Sequence, residues 1–256
     1  MARQTITIDT QGDWETGEFD GTNPMDPAGS LTLGIDTTRI AEMVTDGGLA
    51  VYCRCYEGSG ATANNVGLAG NAALAGHAWV ERDDGRSWLS GGNATVANHD
   101  SMRIIDSYDK YRRASGGVRI KYSVTGTLMT RAANFILGID GTGHPYISWN
   151  YEDGWETVAS AAALEAGAEH AISFTFNSGT AMLYVDGVIK ATMFESEEEP
   201  VEIGTDNLVV SYGGYWTDFY YFGDGASGQA FDRQSTGGWW KTVSYTHLTL
   251  PTILLV

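Results

Sequence analysis

The sequence predicts an all-β chain folded as an antiparallel two-sheet sandwich, and three observations carry that reading. Short runs rich in Val, Ile, Thr and aromatics recur between turn signals. Two pairs of runs meet at Asp-Gly, in "YEDGWE" and "YVDGVI", and Asp-Gly supplies the positive φ of a two-residue type I′ hairpin. In "HAISFTFN" the residues alternate, with Ile172, Phe174 and Phe176 on one face and Ser173, Thr175 and Asn177 on the other.

Taken in order, "TITID" and "SLTLG" open the chain as strands around a polar stretch. "LAVYCRCY", "NATVAN" and "MRIID" follow. The densest region holds "GVRIKYSVTG", "NFILGID", "HPYISWNY", "WETVAS", "HAISFTFN", "AMLYVDGVIKATMF", "EEPVEIG", "NLVVSYG" and "DFYYFGD". In "AMLYVDG" both faces are apolar, which marks a central strand. "DTTRIAEMVTD" is the one predicted helix, "ALEAGAEH" a turn and "ESEEEP" a solvated loop. No repeat of solenoid or propeller length is present.

The balance of 32 Asp+Glu against 15 Lys+Arg gives a net charge of −17. Nucleic-acid binding rests on Lys and Arg neutralising phosphates, and anionic membranes attract the same residues, so neither partner is expected. Cys53 and Cys55 are the two cysteines. In an extended strand their Cα atoms stand about 6.5–7 Å apart, the far limit for a disulfide, so two buried thiols are expected. "MARQTITIDTQGDWETG" lacks the apolar core of a secretory signal. Export without one, as in a virion, or a true start lying elsewhere is then expected.

The closing "VSYTHLTLPTILLV" carries no charge. It is too short for a spanning helix, which needs about 20 apolar residues. Its composition suits an edge strand, but back-translation offers another source. Codons for Val243–Thr252 resemble a transposon-type sequencing adapter, with Ile253–Leu255 as a variable index. Val243–Val256 is therefore expected to be a library artefact, with the natural frame running on past Thr242.

From Tyr56 onward the order of motifs resembles the laminin G-like, concanavalin A-like jelly-roll domains. "YEGSGATANN" is similar to their opening turn, and "AGNAALAGHAWV" and "GRSWLSGGNATVANHDSM" to the stretches that follow. "AEHAISFTFNSGTAMLYVDGVIKA" is the most specific match, and "YWTDFYYFGD" fills the closing strand. The resemblance implies a jelly roll over 49–225, with 1–48 as strands packed on it. Residues 226–242 read as a linker or the start of a lost segment, and 243–256 as the artefact. The opening segment also resembles, over a short stretch, phage and virus tail-associated proteins.

Some members of the family hold a structural Ca²⁺ through the opening turn and closing strand, which implies a site at Glu57, Asn65 and Asp218. Calcium takes six to eight hard oxygens. This chain has Asn64 and Asn65 where the family has Asp, and a single acid, Asp218, in "WTDFYY". The fold also carries family-16 glucanases, whose paired acids lie on one strand. In "ERDDGR", Glu81 and Asp83 fit such a pair, but Arg86 replaces the second Glu and Gly85 interrupts the strand, so catalysis is not expected. His170 matches a packing histidine of the family.

Sugars offer apolar C–H faces and rings of hydroxyls, so aromatic platforms beside Asn and Asp are the expected binding groups. "WNYEDGW" supplies Trp149, Asn150, Tyr151, Asp153 and Trp155, and "SYGGYWTD" adds Tyr215 and Trp216 near Tyr212. The opposing reading puts Trp149 in the core and Trp155 across the hairpin. The sequence thus leads to a non-catalytic glycan-binding or adhesion module of a larger extracellular or virion protein. The alternatives are a structural virion module, assembled as a homo-oligomer, and a glycoside hydrolase.

Overall fold

A computed structural model describes residues 49–82, 87–102, 113–132, 134–151, 154–177, 180–194 and 206–223. The predicted helix, the two N-terminal strands, "ESEEEP", Asp83, Gly85, Arg86, Asp153 and everything from 224 onward lie outside the described residues. Within them the chain forms β1 (Leu49–Cys53), β2 (Thr62–Ala63), β3 (Ala72–Ala75), β4 (Ala78–Glu81), β5 (Ser87–Ser90) and β6 (Asn93–Val96). A 3-10 turn at Asp100–Met102 precedes β7 (Arg113–Lys121), β8 (Gly126–Arg131), β9 (Phe135–Ile139), β10 (Pro145–Tyr151) and β11 (Gly154–Ala159). The last five are β12 (Glu169–Asn177), β13 (Thr180–Val185), β14 (Val188–Phe194), β15 (Leu208–Ser211) and β16 (Tyr215–Phe222).

These strands form two antiparallel sheets, as predicted. The first runs β14-β13-β12-β7-β16-β5-β4 with β1 also on β16, and the second runs β11-β10-β9-β8-β15-β6-β3-β2. The hairpin at "YVDGVI" is the expected one, since Asp186 and Gly187 both have positive φ (53° and 73°). "YEDGWE" differs by one residue. Gly154 pairs with Tyr151, so this glycine belongs to β11 and not to the connection.

Between the sheets lies an aromatic core. Trp149 stacks on Phe176 at 4.1 Å between centroids, with planes 1° apart. Phe135 lies 5.5 Å from Trp149 and 5.9 Å from Tyr221, near-parallel to both. Rings from β9 and β10 thereby meet rings from β12 and β16, and each buries about 150–250 Å². Arg131 is also fully buried. Its guanidinium donates to the carbonyls of Met102 and Asp206 and to the Asn98 amide oxygen, which ties two loops to β8.

The outward residues of the second sheet fall into register across all eight strands. One row reads Thr62, Ala73, Thr95, Val209, Thr130, Ile136, Ser148 and Thr157, from β2 to β11. On β10 the next outward position is Tyr146, whose ring lies over Gly138. A Cβ there would fall 2.7 Å from it.

Among the described residues no helix is long and apolar enough to cross a membrane. Trp149→Ala removes the central plate of the aromatic stack, and a loss of about 3–5 kcal/mol in unfolding free energy is expected. Chemical denaturation measures it. A loss below about 1 kcal/mol would show that the stack is not what holds the sheets together.

Candidate functional site

The two aromatic clusters predicted from sequence do not meet. "WNYEDGW" lies on β10 and β11 of the second sheet, and "SYGGYW" leads into β16 of the first. Trp149 and Tyr151 are 1% exposed and Trp216 is fully buried, so none of the three can offer a ring face to a ligand. The reason is phase. Trp149 and Tyr151 stand on the inner positions of β10, while Asn150 between them points outward beside Trp155. Trp216 donates its indole N–H to the Gly91 carbonyl at 2.9 Å. Trp155 (45%) and Tyr215 (37%) remain exposed, on outward faces of different sheets.

Tyr215 lines a groove of about 340 Å³ together with Val80, Glu81, Arg82, Trp88, Lys121 and Glu169. Its floor is one cross-strand row, in which Glu169, Lys121, Tyr215, Ser90 and Ala78 stand opposite one another on β12, β7, β16, β5 and β4. Arg82, just past β4, lays its guanidinium over the Trp88 ring at 4.2 Å. Its Nη2 also reaches both oxygens of Glu169 at 3.2 Å. Four strand spacings, about 19 Å on a flat sheet, exceed the reach of the two side chains. The sheet between β4 and β12 is therefore curved, which brings Arg82 and Glu169 together over the groove.

The Tyr215 loop is fixed at both ends. The Tyr212 hydroxyl accepts from the N–H groups of Ser123 and Val124 and donates to the Val124 carbonyl. Gly214 accepts from Gly91 N–H. Tyr212 and Trp216 are thus anchors, and Tyr215 is the ring they present. The sequence showed three aromatics there but not which one faced out. Arg82, Lys121, Trp88 and Glu169 were not foreseen, because each comes from a different part of the chain, on or beside β4, β7, β5 and β12.

Of Glu57, Asn65 and Asp218, Asn65 has its amide already engaged and does not fit as a calcium ligand. Asn65 Oδ1 already accepts from the N–H groups of Tyr52 (2.7 Å) and Gly67 (2.9 Å). Its Nδ2 donates to the carbonyls of Ala50 (3.1 Å) and Ala69 (2.8 Å). Glu57 Oε1 accepts from Asn64 N–H at 2.7 Å. Asp218 Oδ2 faces the Tyr56 hydroxyl at 3.3 Å and Arg119 Nε at 3.8 Å. Among the described residues no group of three or more His, Cys, Asp or Glu side chains could hold a metal ion. Asn65 acts as a neutral clamp between β1 and the 64–70 loop.

Both cysteines are free and buried, as expected. The route differs: the strand ends at Cys53, and Cys55 reaches the interior through a left-handed φ of 55°. Burial pushes both thiols well above their ordinary pKa. At Cys53 the Glu57 carboxylate adds to it, and at Cys55 the neighbours are Cys53, Asp218 and Glu57. His170 packs on β12 with Nδ1 2.9 Å from the Asp186 carboxylate.

Residues 57–233 match the family described as the concanavalin A-like lectin/glucanases superfamily. The chain belongs to this superfamily. Solved structures similar to it include the binding domain of Paraclostridial Mosquitocidal Protein 1, at TM-score 0.58 and 10% identity over 76% of this chain and 52% of that one. Another is the ligand-binding domain of botulinum neurotoxin serotype D in complex with N-acetylneuraminic acid, at TM-score 0.53 and 12% identity, covering 75% of this chain and 51% of that one. A third is domain 4 of AbnA, an extracellular arabinanase from Geobacillus stearothermophilus, in complex with arabinotriose. It gives TM-score 0.52 and 12% identity, covering 73% of this chain and 98% of that one. At such identities the likeness to these superfamily folds is one of architecture. The chain spans about half the length of the two toxin domains. No curated protein matches the sequence.

Asn65→Ala takes the partner from the N–H groups of Tyr52 and Gly67 and one bond each from the Ala50 and Ala69 carbonyls, so a loss of at least about 2 kcal/mol is expected in chemical denaturation. Calcium or a chelator is expected to leave the Tm unchanged, because only a bound ion stabilises by mass action. A rise of several degrees with calcium would restore the metal reading. The thiols give a second check. Iodoacetamide at pH 8 is expected to spare the folded chain and label both cysteines once it is unfolded.

Proposed function

We propose that this chain is a non-catalytic carbohydrate-binding module whose ligand lies in the Tyr215 groove. The observation that carries this reading is the exposed Tyr215 ring, held by a doubly anchored loop and flanked by Lys121 and the Arg82–Glu169 pair. A ring face suits the C–H side of a sugar, and convergent charged groups suit its hydroxyls. The volume falls in the range of small-ligand sites, about 300–1,000 Å³. Support also comes from the similar toxin and arabinanase domains, whose structures include complexes with a sialic acid and an arabinose oligomer.

The hydrolase alternative needs two free carboxyl groups flanking one bond. Arg82 engages both oxygens of Glu169, which leaves Glu81 as the other carboxyl among the described lining residues. We place the module in a larger extracellular or virion protein, where binding would serve attachment.

On a broad glycan array the native chain is expected to bind, and Tyr215→Ala to lower that binding at least tenfold. An exposed side chain costs little when truncated, so the variant's stability should stay within about 0.5 kcal/mol of the native chain. Unchanged binding in Tyr215→Ala would remove the groove from consideration. An intact fold that binds nothing would leave the structural-module reading. Reducing ends released from a polysaccharide by the native chain but not by Glu81→Gln would show that the groove is catalytic.

A further inference from the structure

We propose that the outer face of the second sheet is a separate binding surface, for a neutral polysaccharide. It lies on the other side of the sandwich from the groove and does not depend on it. The chain has net charge −17 and 18% charged residues, yet the outward register positions of this sheet carry no charged side chain among the described residues. The row from Thr62 to Thr157 sets hydroxyls at Thr62, Thr95, Thr130 and Ser148, with Ala73, Val209 and Ile136 between them. Hydroxyl positions therefore recur every second strand, about 9.5 Å apart, along a row of about 34 Å.

Three further features prepare the face for sugars. Trp155, 45% exposed, stands opposite Asn150, which pairs an open ring with an amide. The Ser148 and Thr157 hydroxyls lie 2.6 Å apart, so each is oriented by the other. The Thr130 hydroxyl donates to the Phe135 carbonyl at 2.9 Å, which turns its lone pairs toward an incoming donor.

What the face lacks selects the partner. Without Lys or Arg it offers nothing to phosphate or sulfate. Without carboxylates it offers nothing to a basic protein. A protein-docking patch has a contiguous apolar centre, whereas in this row each aliphatic residue sits between two hydroxyl-bearing ones. A neutral sugar polymer, which alternates C–H faces with hydroxyl edges, matches that pattern.

The test is affinity electrophoresis and pull-down of the full chain with cellulose, chitin, xylan and dextran. Retention on at least one is expected, unaffected by sodium chloride between about 0.05 and 0.5 M, a range that shortens the Debye length several-fold. Trp155→Ala and Ala73→Glu are each expected to weaken it at least tenfold, while Glu165→Gln, on an exposed loop, leaves it unchanged. Should Trp155→Ala fail to fold, Thr157→Glu and Ala73→Glu carry the test at exposed positions. No retention on any of the four polymers overturns the proposal, as does retention that salt abolishes. Loss in Tyr215→Ala instead would put the binding in the groove and overturn it too. A native dimer that Ala73→Glu converts to monomer would make the face a contact between copies, with the same consequence.

Discussion

Along β16 the neighbour on one edge changes from β5, at Tyr215 and Trp216, to β1, at Phe219–Phe222, and the change is made at Asp218. Asp218 has a φ of 40° and forms a bulge against β7, where Thr217 faces Arg119 and Phe219 faces Val118. The extra residue resets the alternation. Trp216 points inward before it, and Phe219 and Tyr221 point inward after it. With strict alternation Phe219 and Tyr221 would stand on the outer face instead. Left-handed backbone at a non-glycine residue costs about 1–3 kcal/mol. It is held by its surroundings: Arg119 and Tyr56 face the carboxylate, and the Thr217 hydroxyl donates to the Arg54 carbonyl at 2.9 Å. One bulge thus supplies inward rings to the core and leaves Tyr215 pointing out into the groove.

The same feature explains where sequence reading worked and where it failed. β10 and β12 were legible because their side chains declare a period of two, and β9, β13 and β15 because their short apolar runs lie between turn signals. β3, "AALA", and β8, "GTLMTR", were not, because Ala and Gly carry little strand signal and a second register shift interrupts β8 between Thr127 and Met129. In "SYGGYWTDFYYF" the residues are aromatic on both faces, so alternation cannot say which rings are buried. An inserted residue then inverts any guess made from one end. Trp216 was misplaced for that reason, and Trp149 and Tyr151 because a run aromatic at alternate positions reads equally as platform or core.

Sites built from several elements leave less trace. Each groove residue is ordinary in its own strand, and only the register of β12, β7, β16, β5 and β4 brings Glu169, Lys121 and Tyr215 into one row. Asn65 shows the opposite situation, in which a local motif resembles a metal turn but a neutral amide performs the tying function. An ion would gather oxygens around itself. The Asn65 amide instead gives and accepts in the same plane, so it can hold N–H groups and carbonyls at once.

The disposition of charge follows from this architecture. Two acidic side chains take up local hydrogen bonds at turns. Asp140 Oδ1 accepts from the Thr142 N–H and hydroxyl and from His144 N–H, which holds its carboxyl below the usual range. Asp186 Oδ1 caps the Ala171 N–H. Carboxylates used in this way stabilise tight connections. The two faces are then free to differ. The first sheet assembles Arg82, Lys121 and Glu169 around Tyr215, and the second sets out hydroxyls and aliphatics with no charge at its register positions. Among the described residues the sandwich therefore presents two outward faces of different chemistry, one with charged side chains beside Tyr215 and the other with none at its register positions.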